Sequence, residues 1–238
     1  MHGTSYAGWM LAALALSGWL WFRAGRRDPH LPLIFIGGLL GAFLGAKLVY
    51  LLAEGWNDLG RPDLALRWAT GKTILGGLLF GYAGVELTKK ALRYTRPTGD
   101  RFAIMVPLAL ILGRIGCLTH GCCLGRPCPP AWYARTDSAG VPRWPAVPAE
   151  IAFHALALAA ALVLQATGRL PGQRFHVYLI AYGVFRFVTE FQRDTLRLLG
   201  PFTGYHVAAL ALVALGAVRF GQRQHQRQTP TSPVSASA

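Results

Sequence analysis

The chain has 238 residues, 53% of them hydrophobic and 14% charged, with 24 Lys and Arg against 10 Asp and Glu for a net charge of +14. A soluble domain carries about 25% charged residues, so this composition excludes an ordinary soluble fold. The basic residues punctuate apolar runs instead of forming one patch, which excludes a nucleic-acid partner and leaves an all-α polytopic membrane protein.

Seven apolar segments are predicted as transmembrane helices, roughly 4–22, 31–53, 72–88, 102–118, 147–167, 175–192 and 203–219. Several reach the about 17–25 residues that a spanning helix needs. Met1-His2-Gly3-Thr4 lacks the basic start of a secretory signal, so the first segment is expected to be retained. The third and fourth are interrupted by Gly76, Gly77, Gly81 and Gly84, and by Pro107, Gly113 and Gly116. Small residues let helices approach closely, so these two are expected inside the bundle. Residues 1–221 then form one seven-helix domain with a long loop at 119–146, and the Gln-, Ser- and Pro-rich stretch 222–238 is expected to be a disordered tail.

Orientation follows from the loops. Arg23, Arg26 and Arg27, then Lys89, Lys90, Arg93, Arg96 and Arg101, then Arg169 and Arg174, then Arg219, Arg223 and Arg227 all fall on one side if the segments alternate. Basic loops stay in the cytoplasm. The N-terminus is therefore expected outside and the C-terminus in the cytoplasm; the resemblance given below implies a bacterial inner membrane, with the periplasm as the outer side.

Against this frame the buried cations stand out. At 1.5 Å per residue, Arg114 lies about 20 Å up a helix from Arg101, Arg186 about 18 Å up from Arg174, and Lys47 about 24 Å up from Leu31. All three reach the outer half of a hydrocarbon core about 30 Å thick. An ionisable group at that depth is costly and is by default a functional-site hypothesis. Tyr182, Arg186, Glu190 and Arg193 share one helical face. The bland reading is an Arg186–Glu190 ion pair fastening helices. The functional reading is that Arg114 and Arg186 converge on an anionic group, with Arg186 using its planar fork on a phosphate.

The four cysteines, Cys117, Cys122, Cys123 and Cys128, cluster in one stretch. Their spacing is not a paired CxxC arrangement, so no metal is expected and a local disulfide on an oxidising face is preferred, with the partners undecided. Redox chemistry at these thiols remains a third reading of the chain's function. His120 is a candidate general base. The loop 119–146 holds Arg126, Arg135, Arg143, Trp132, Tyr133 and Trp144, which suits an interfacial lid over a lipid head group or simple anchoring at the membrane surface.

Gly113-Arg114-Ile115-Gly116 followed by Gly125-Arg126-Pro127 resembles the signature of prolipoprotein diacylglyceryl transferases. Gly45-Ala46-Lys47-Leu48-Val49-Tyr50 resembles that family's second-helix motif, and Gly76-Gly77-Leu78 its HGGL. Tyr182-Gly183-Val184-Phe185-Arg186-Phe187, with Glu190-Phe191 and Arg193, resembles its YGxxRFxxEFxR. The resemblance implies a seven-helix inner-membrane enzyme that moves the diacylglyceryl group of phosphatidylglycerol to the lipobox cysteine thiol in the signal peptide of a prolipoprotein, without a cofactor. By the same resemblance Arg114 and Arg186 would bind and polarise the phosphate and Tyr182 would position the lipid. Lys47, Gly76, Gly77, Gly125, Arg126 and Arg193 would shape the substrate site among membrane lipids. The chain departs from the family at Leu75, which stands for the HGGL histidine, and at Cys117, His120 and Cys122 in the GRIGNFINGE-like run. His120 or Glu190 would then serve as the base. The alternative implied is a divergent, non-catalytic phospholipid-binding or transport paralogue on the same scaffold.

Overall fold

A computed structural model describes residues 3–228 of the chain. Seven long helices run through it: α1 (Gly3–Gly25), α2 (His30–Ala53), α4 (Ile74–Ala91), α5 (Gly99–His120), α6 (Ala146–Ala166), α7 (Arg174–Glu190) and α8 (Gly204–Gln228). A short α3 (Leu64–Thr70) follows α2 outside the bundle, after a 3-10 turn at Gly55–Asp58. The segments read from the sequence each correspond to one long helix. Pro107 does not interrupt the fourth, which is a single helix, α5. Helix α8 also runs through Gln222 to Gln228, so that part of the expected tail is helical; residues 229–238 lie outside the described residues.

By length and composition, α2, α5, α6 and α8 are apolar enough to cross a membrane. The outward faces of α2, α6 and α8 bear large apolar side chains: Phe43, Leu44, Leu52, Leu156, Val163 and Val207 are all exposed. Water would penalise such a surface at about 25 cal/mol per Å²; acyl chains would not. Helix α7 differs in its buried face: Tyr178, Leu179, Tyr182, Gly183, Arg186 and Glu190 are turned into the bundle, while Val184 and Val188 on its other side are exposed.

Helices α2 and α4 make the closest pair. A Cβ built on Gly41 collides with the carbonyl oxygen of Phe80, one on Gly84 with that of Gly37, and one on Gly76 with that of Gly45. Small residues at these three turns let the two backbones touch. Helices α7 and α8 meet in the same manner, where Gly183 lies against Ala209 and Val213 and Gly216 against His176 and Ile180. The core between these pairs is aromatic and aliphatic, built from Leu75, Tyr178, Leu179, Tyr182, Ala209 and Leu212.

At one end of the bundle the connections are structured. Strands β1 (Arg135–Thr136) and β2 (Pro142–Arg143) form a hairpin, with Arg135 opposite Arg143, and β3 (Arg197–Leu199) pairs antiparallel with β4 (Phe202–Thr203). The Asp137 carboxylate accepts the backbone N–H groups of Ala139 and Val141, each at 2.9 Å, and the Arg143 Nε–H at 2.6 Å. The Arg143 guanidinium and the two N–H groups, through their hydrogen bonds, hold the Asp137 carboxyl below the usual carboxylate range. Arg143 also reaches Asp194 at 3.1 Å, which ties the hairpin to the segment after α7. The backbone completes the strap: the Arg126 N–H donates to Gln192 at 2.8 Å, and Trp144 donates to Arg126 at 2.9 Å.

Candidate active site

The polar centre lies where α5, α6 and α7 meet below this strap. Its hub is Glu150 on α6, whose side chain is 1% exposed. Arg114 of α5 pairs its Nε with Glu150 Oε2. Arg186 of α7 donates from Nη1 to Glu150 Oε1 at 2.9 Å and from Nη2 to Glu190 Oε2 at 2.7 Å. Arg193, just past α7, brings its Nη1 to 3.5 Å from Glu150 Oε1, and the Tyr182 hydroxyl donates to the same oxygen at 3.4 Å. Arg114 and Arg186 thus converge on a carboxylate from a third helix, where the sequence reading had expected them to meet on a lipid phosphate.

Glu190 is fixed by a second set of partners. Its Oε1 accepts from Thr195 Oγ1 at 2.7 Å and from Thr203 Oγ1 at 3.3 Å, and Thr203 in turn contacts His206 Nδ1 at 3.2 Å. The i, i+4 spacing of Arg186 and Glu190 puts them on one face of α7. The bland reading of that pair is correct as far as it goes: it does fasten elements. It also holds the Arg186 fork in a fixed plane with one edge on each carboxylate.

Charge bookkeeping gives the site its character. Three guanidiniums and two carboxylates share this largely buried volume, which leaves one positive charge in excess. Removing ions from water costs several kcal/mol each, and only paired charges recover it. An unbalanced cation here therefore favours one anion. The planar forks offer N–H donors in the spacing that a phosphate's oxygens accept.

The other expected residues fall into distinct places. Lys47 does not line the cluster. Its ammonium donates to the carbonyls of Trp68, Ala69 (3.1 Å) and Gly71 (2.8 Å), where it satisfies the last carbonyls of α3 and the turn after it. Gly76 and Gly77 face α2 rather than a cavity: the carbonyl of Gly45 blocks the first, and Ala42 and Ala46 lie 3.6 and 3.8 Å from a Cβ on the second. Gly125 sits in the strap, its N–H on Trp144 and its backbone bridged to Arg193, with Trp144 leaving no room for a side chain. The Arg126 backbone belongs to the same strap, and its side chain is exposed. His120 ends α5, exposed, with its ring 6.0 Å from that of Tyr6. The four thiols are free.

The hub itself is the residue that sequence reasoning missed. Glu150 is the one acid within the fifth apolar segment, and a lone carboxylate in hydrocarbon is as informative as a lone arginine. His154, one turn on, was also missed. It is fully buried, stacks on Tyr182 at 5.1 Å and contacts the Tyr178 hydroxyl at 3.2 Å.

The profile of the LGT family, described as prolipoprotein diacylglyceryl transferase, matches residues 1–221. Among similar proteins, one of Cupriavidus pinatubonensis is 30% identical over 92% of this chain and 87% of its own length. One of Bordetella avium is 34% identical over 70% and 65%, and one of Clostridium tetani 28% identical over 82% and 81%. Each of the three bears the name phosphatidylglycerol–prolipoprotein diacylglyceryl transferase.

Proposed function

The chain belongs to the prolipoprotein diacylglyceryl transferase family, and we propose that it transfers the diacylglyceryl group of phosphatidylglycerol to the lipobox cysteine thiol in a prolipoprotein signal peptide. The observation that carries this reading is the buried cluster of Arg114, Arg186 and Arg193 with one positive charge beyond Glu150 and Glu190. The phosphodiester of phosphatidylglycerol carries one negative charge, which matches that excess. The names of the relatives support the same substrates.

The reaction breaks the bond between the glycerol carbon and a phosphate oxygen and forms a carbon–sulfur bond. Glycerol phosphate leaves with the electron pair, and the thiol proton passes to a base. As the phosphate departs its charge grows. Guanidiniums already aimed at it lower that barrier without reorganising, the effect that in other enzymes is worth about 10²–10³-fold per donor. Glu150 and Glu190 hold the forks in place. Both oxygens of Glu190 are engaged, so it acts as a positioning residue, and the proton is assigned to His120 at the end of α5. Tyr182 orients the lipid beside Glu150. The site end of the bundle faces the periplasm and the basic end the cytoplasm, so the N-terminus is periplasmic, the C-terminus cytoplasmic, and the lipid is drawn from the outer leaflet.

Mass spectrometry of a lipobox peptide incubated with the purified protein and phosphatidylglycerol tests the reading. One diacylglyceryl mass on the cysteine is the expected product. Phosphatidylglycerol retained through Arg114 and Arg186 without product would instead identify a phospholipid-binding paralogue, the reading that Leu75 favours by standing, buried, where the family has a histidine.

A further inference from the structure

Three of the four cysteines converge on a point beside the guanidinium cluster. The Cys123 Sγ lies 4.0 Å from Cys117 Sγ and 3.8 Å from Cys122 Sγ, and all three sulfurs are within 4.8 Å of one another. A disulfide needs sulfurs about 2.05 Å apart. Three sulfurs bound at about 2.3 Å to one tetrahedral or trigonal ion stand about 3.8–4.0 Å apart; the two sides of the triangle that meet at Cys123 have that length, and the third is within 4.8 Å.

The backbone is shaped to make this triangle. Gly121 ends α5 in the left-handed region at φ 73°, and the Cys122 N–H turns back to the Cys117 carbonyl at 3.2 Å. That closure is a Schellman cap, and it returns Cys122 to the turn that holds Cys117. Cys123 is itself left-handed, at φ 61°. A non-glycine residue in that region is strained, and such strain collects at functional sites. Arg114 Nη1 lies 3.7 Å from Cys117 Sγ, so the triangle borders the guanidinium cluster. Cys117 is buried, Cys122 half-buried and Cys123 exposed, so an ion has a path inward.

We propose that Cys117, Cys122 and Cys123 form a three-thiolate site for one soft d10 cation of the zinc class. Thiolate sulfur selects such ions over magnesium or calcium. Three protein ligands leave the fourth position of a tetrahedral ion to solvent or a small ligand. Binding exchanges three S–H protons, released to solvent, for three metal–sulfur bonds, with no change in oxidation state, so affinity rises with pH. The sequence reading, which preferred a disulfide, is reversed by this geometry. The proposal needs no turnover; loaded with a divalent ion the site carries one net negative charge beside Arg114, which would weaken the cluster's attraction for a lipid phosphate.

The test uses the full chain, purified in detergent and reduced with a phosphine, and loaded with zinc. Elemental analysis is expected to find one zinc per chain, and cobalt loading to produce a sulfur-to-metal charge-transfer band. With zinc bound, Cys117, Cys122 and Cys123 should resist alkylation while Cys128 reacts; peptide mass spectrometry reads this on the wild-type protein, so the test does not depend on a variant folding. C117S, C122S and C123S should each lose the zinc and C128S should keep it. Equal alkylation of all four cysteines with and without zinc overturns the proposal, as does zinc that remains in the triple serine variant. Loss of transfer activity with full zinc retention would bear on the transferase reading alone.

Discussion

Glu150 is the point where the architecture is most exposed to a single change. Replacing it with Gln leaves three guanidiniums facing one carboxylate in a buried volume. Breaking a buried ion pair from one side costs about 3–5 kcal/mol, so Glu150→Gln is expected to lower the detergent-solubilised melting temperature sharply and to abolish transfer. Arg186→Lys should behave differently. An ammonium is a point charge and cannot bridge Glu150 and Glu190 as the fork does. Product formation should fall by about 10²–10³-fold with a much smaller loss of stability, and comparison of melting curves with initial rates separates the two variants. His120→Gln should slow transfer more at neutral than at alkaline pH, where the acceptor thiol ionises without a base. Equal loss across the pH range would remove His120 from that role. At this scale the sequence was half legible. Arg114 and Arg186 announced themselves because cations are rare in apolar runs. Lys47 looked the same by depth but folds onto the carbonyls at the end of α3 and just past it, and depth along a helix carries no information about facing. Glu150 was passed over because it lies in the first turn of the predicted segment 147–167, where a carboxylate is commonplace.

The elements divide into those fixed by backbone contact and those fixed by charge. Helices α2 and α4 are of the first kind. Even one methyl at Gly41 meets the Phe80 carbonyl, which no rotamer can relieve. Gly41→Ala is therefore expected to destabilise by about 1–3 kcal/mol, the usual cost of overpacking, whereas Gly18→Ala, at a site with nothing within 4 Å, should be tolerated; paired thermal melts read the difference. The hairpin of β1 and β2 is of the second kind. Its Asp137 has a carboxyl pKa held below its unfolded value of about 3.9. A depressed carboxylate contributes stability above the unfolded pKa and loses it as pH falls through the folded one. The hairpin should accordingly resist protease at neutral pH and become cleavable below about pH 4, and Asp137→Asn should be cleavable at both. Helix positions could be read from apolar length, but the small-residue seams could not be assigned partners, because a glycine shows that something comes close without showing what. Pro107 misled for a related reason: buried within α5, it is flanked by helix on both sides.

For the molecule as a whole, the division of charge sets the expected topology. The ends of α4, α6 and α8 opposite the site, with the start of α7, carry Lys89, Lys90, Arg169, Arg174, Arg219 and Arg223, while the acids Asp58, Asp137 and Asp194 lie at the site end. Reporter fusions after Gly25 and after Ala166 should register as cytoplasmic, and those within 121–145 as periplasmic; the reverse pattern would place the cluster at the wrong leaflet for the proposed substrate. The helix order and the inward face of α7 were legible in the sequence because hydrophobic length and a polar stripe are one-dimensional signals. The strap between residues 125 and 194 was not, since it is made of backbone hydrogen bonds across distant loops.

The seam between α2 and α4 has one more effect. Two helices that touch main chain to main chain leave no width for a hydrocarbon tail, so this side of the bundle is a shut wall. A two-tailed molecule travelling between the bilayer and the polar hub must slip sideways through another crevice, and Gly76 and Gly77, set against α2, work as masonry.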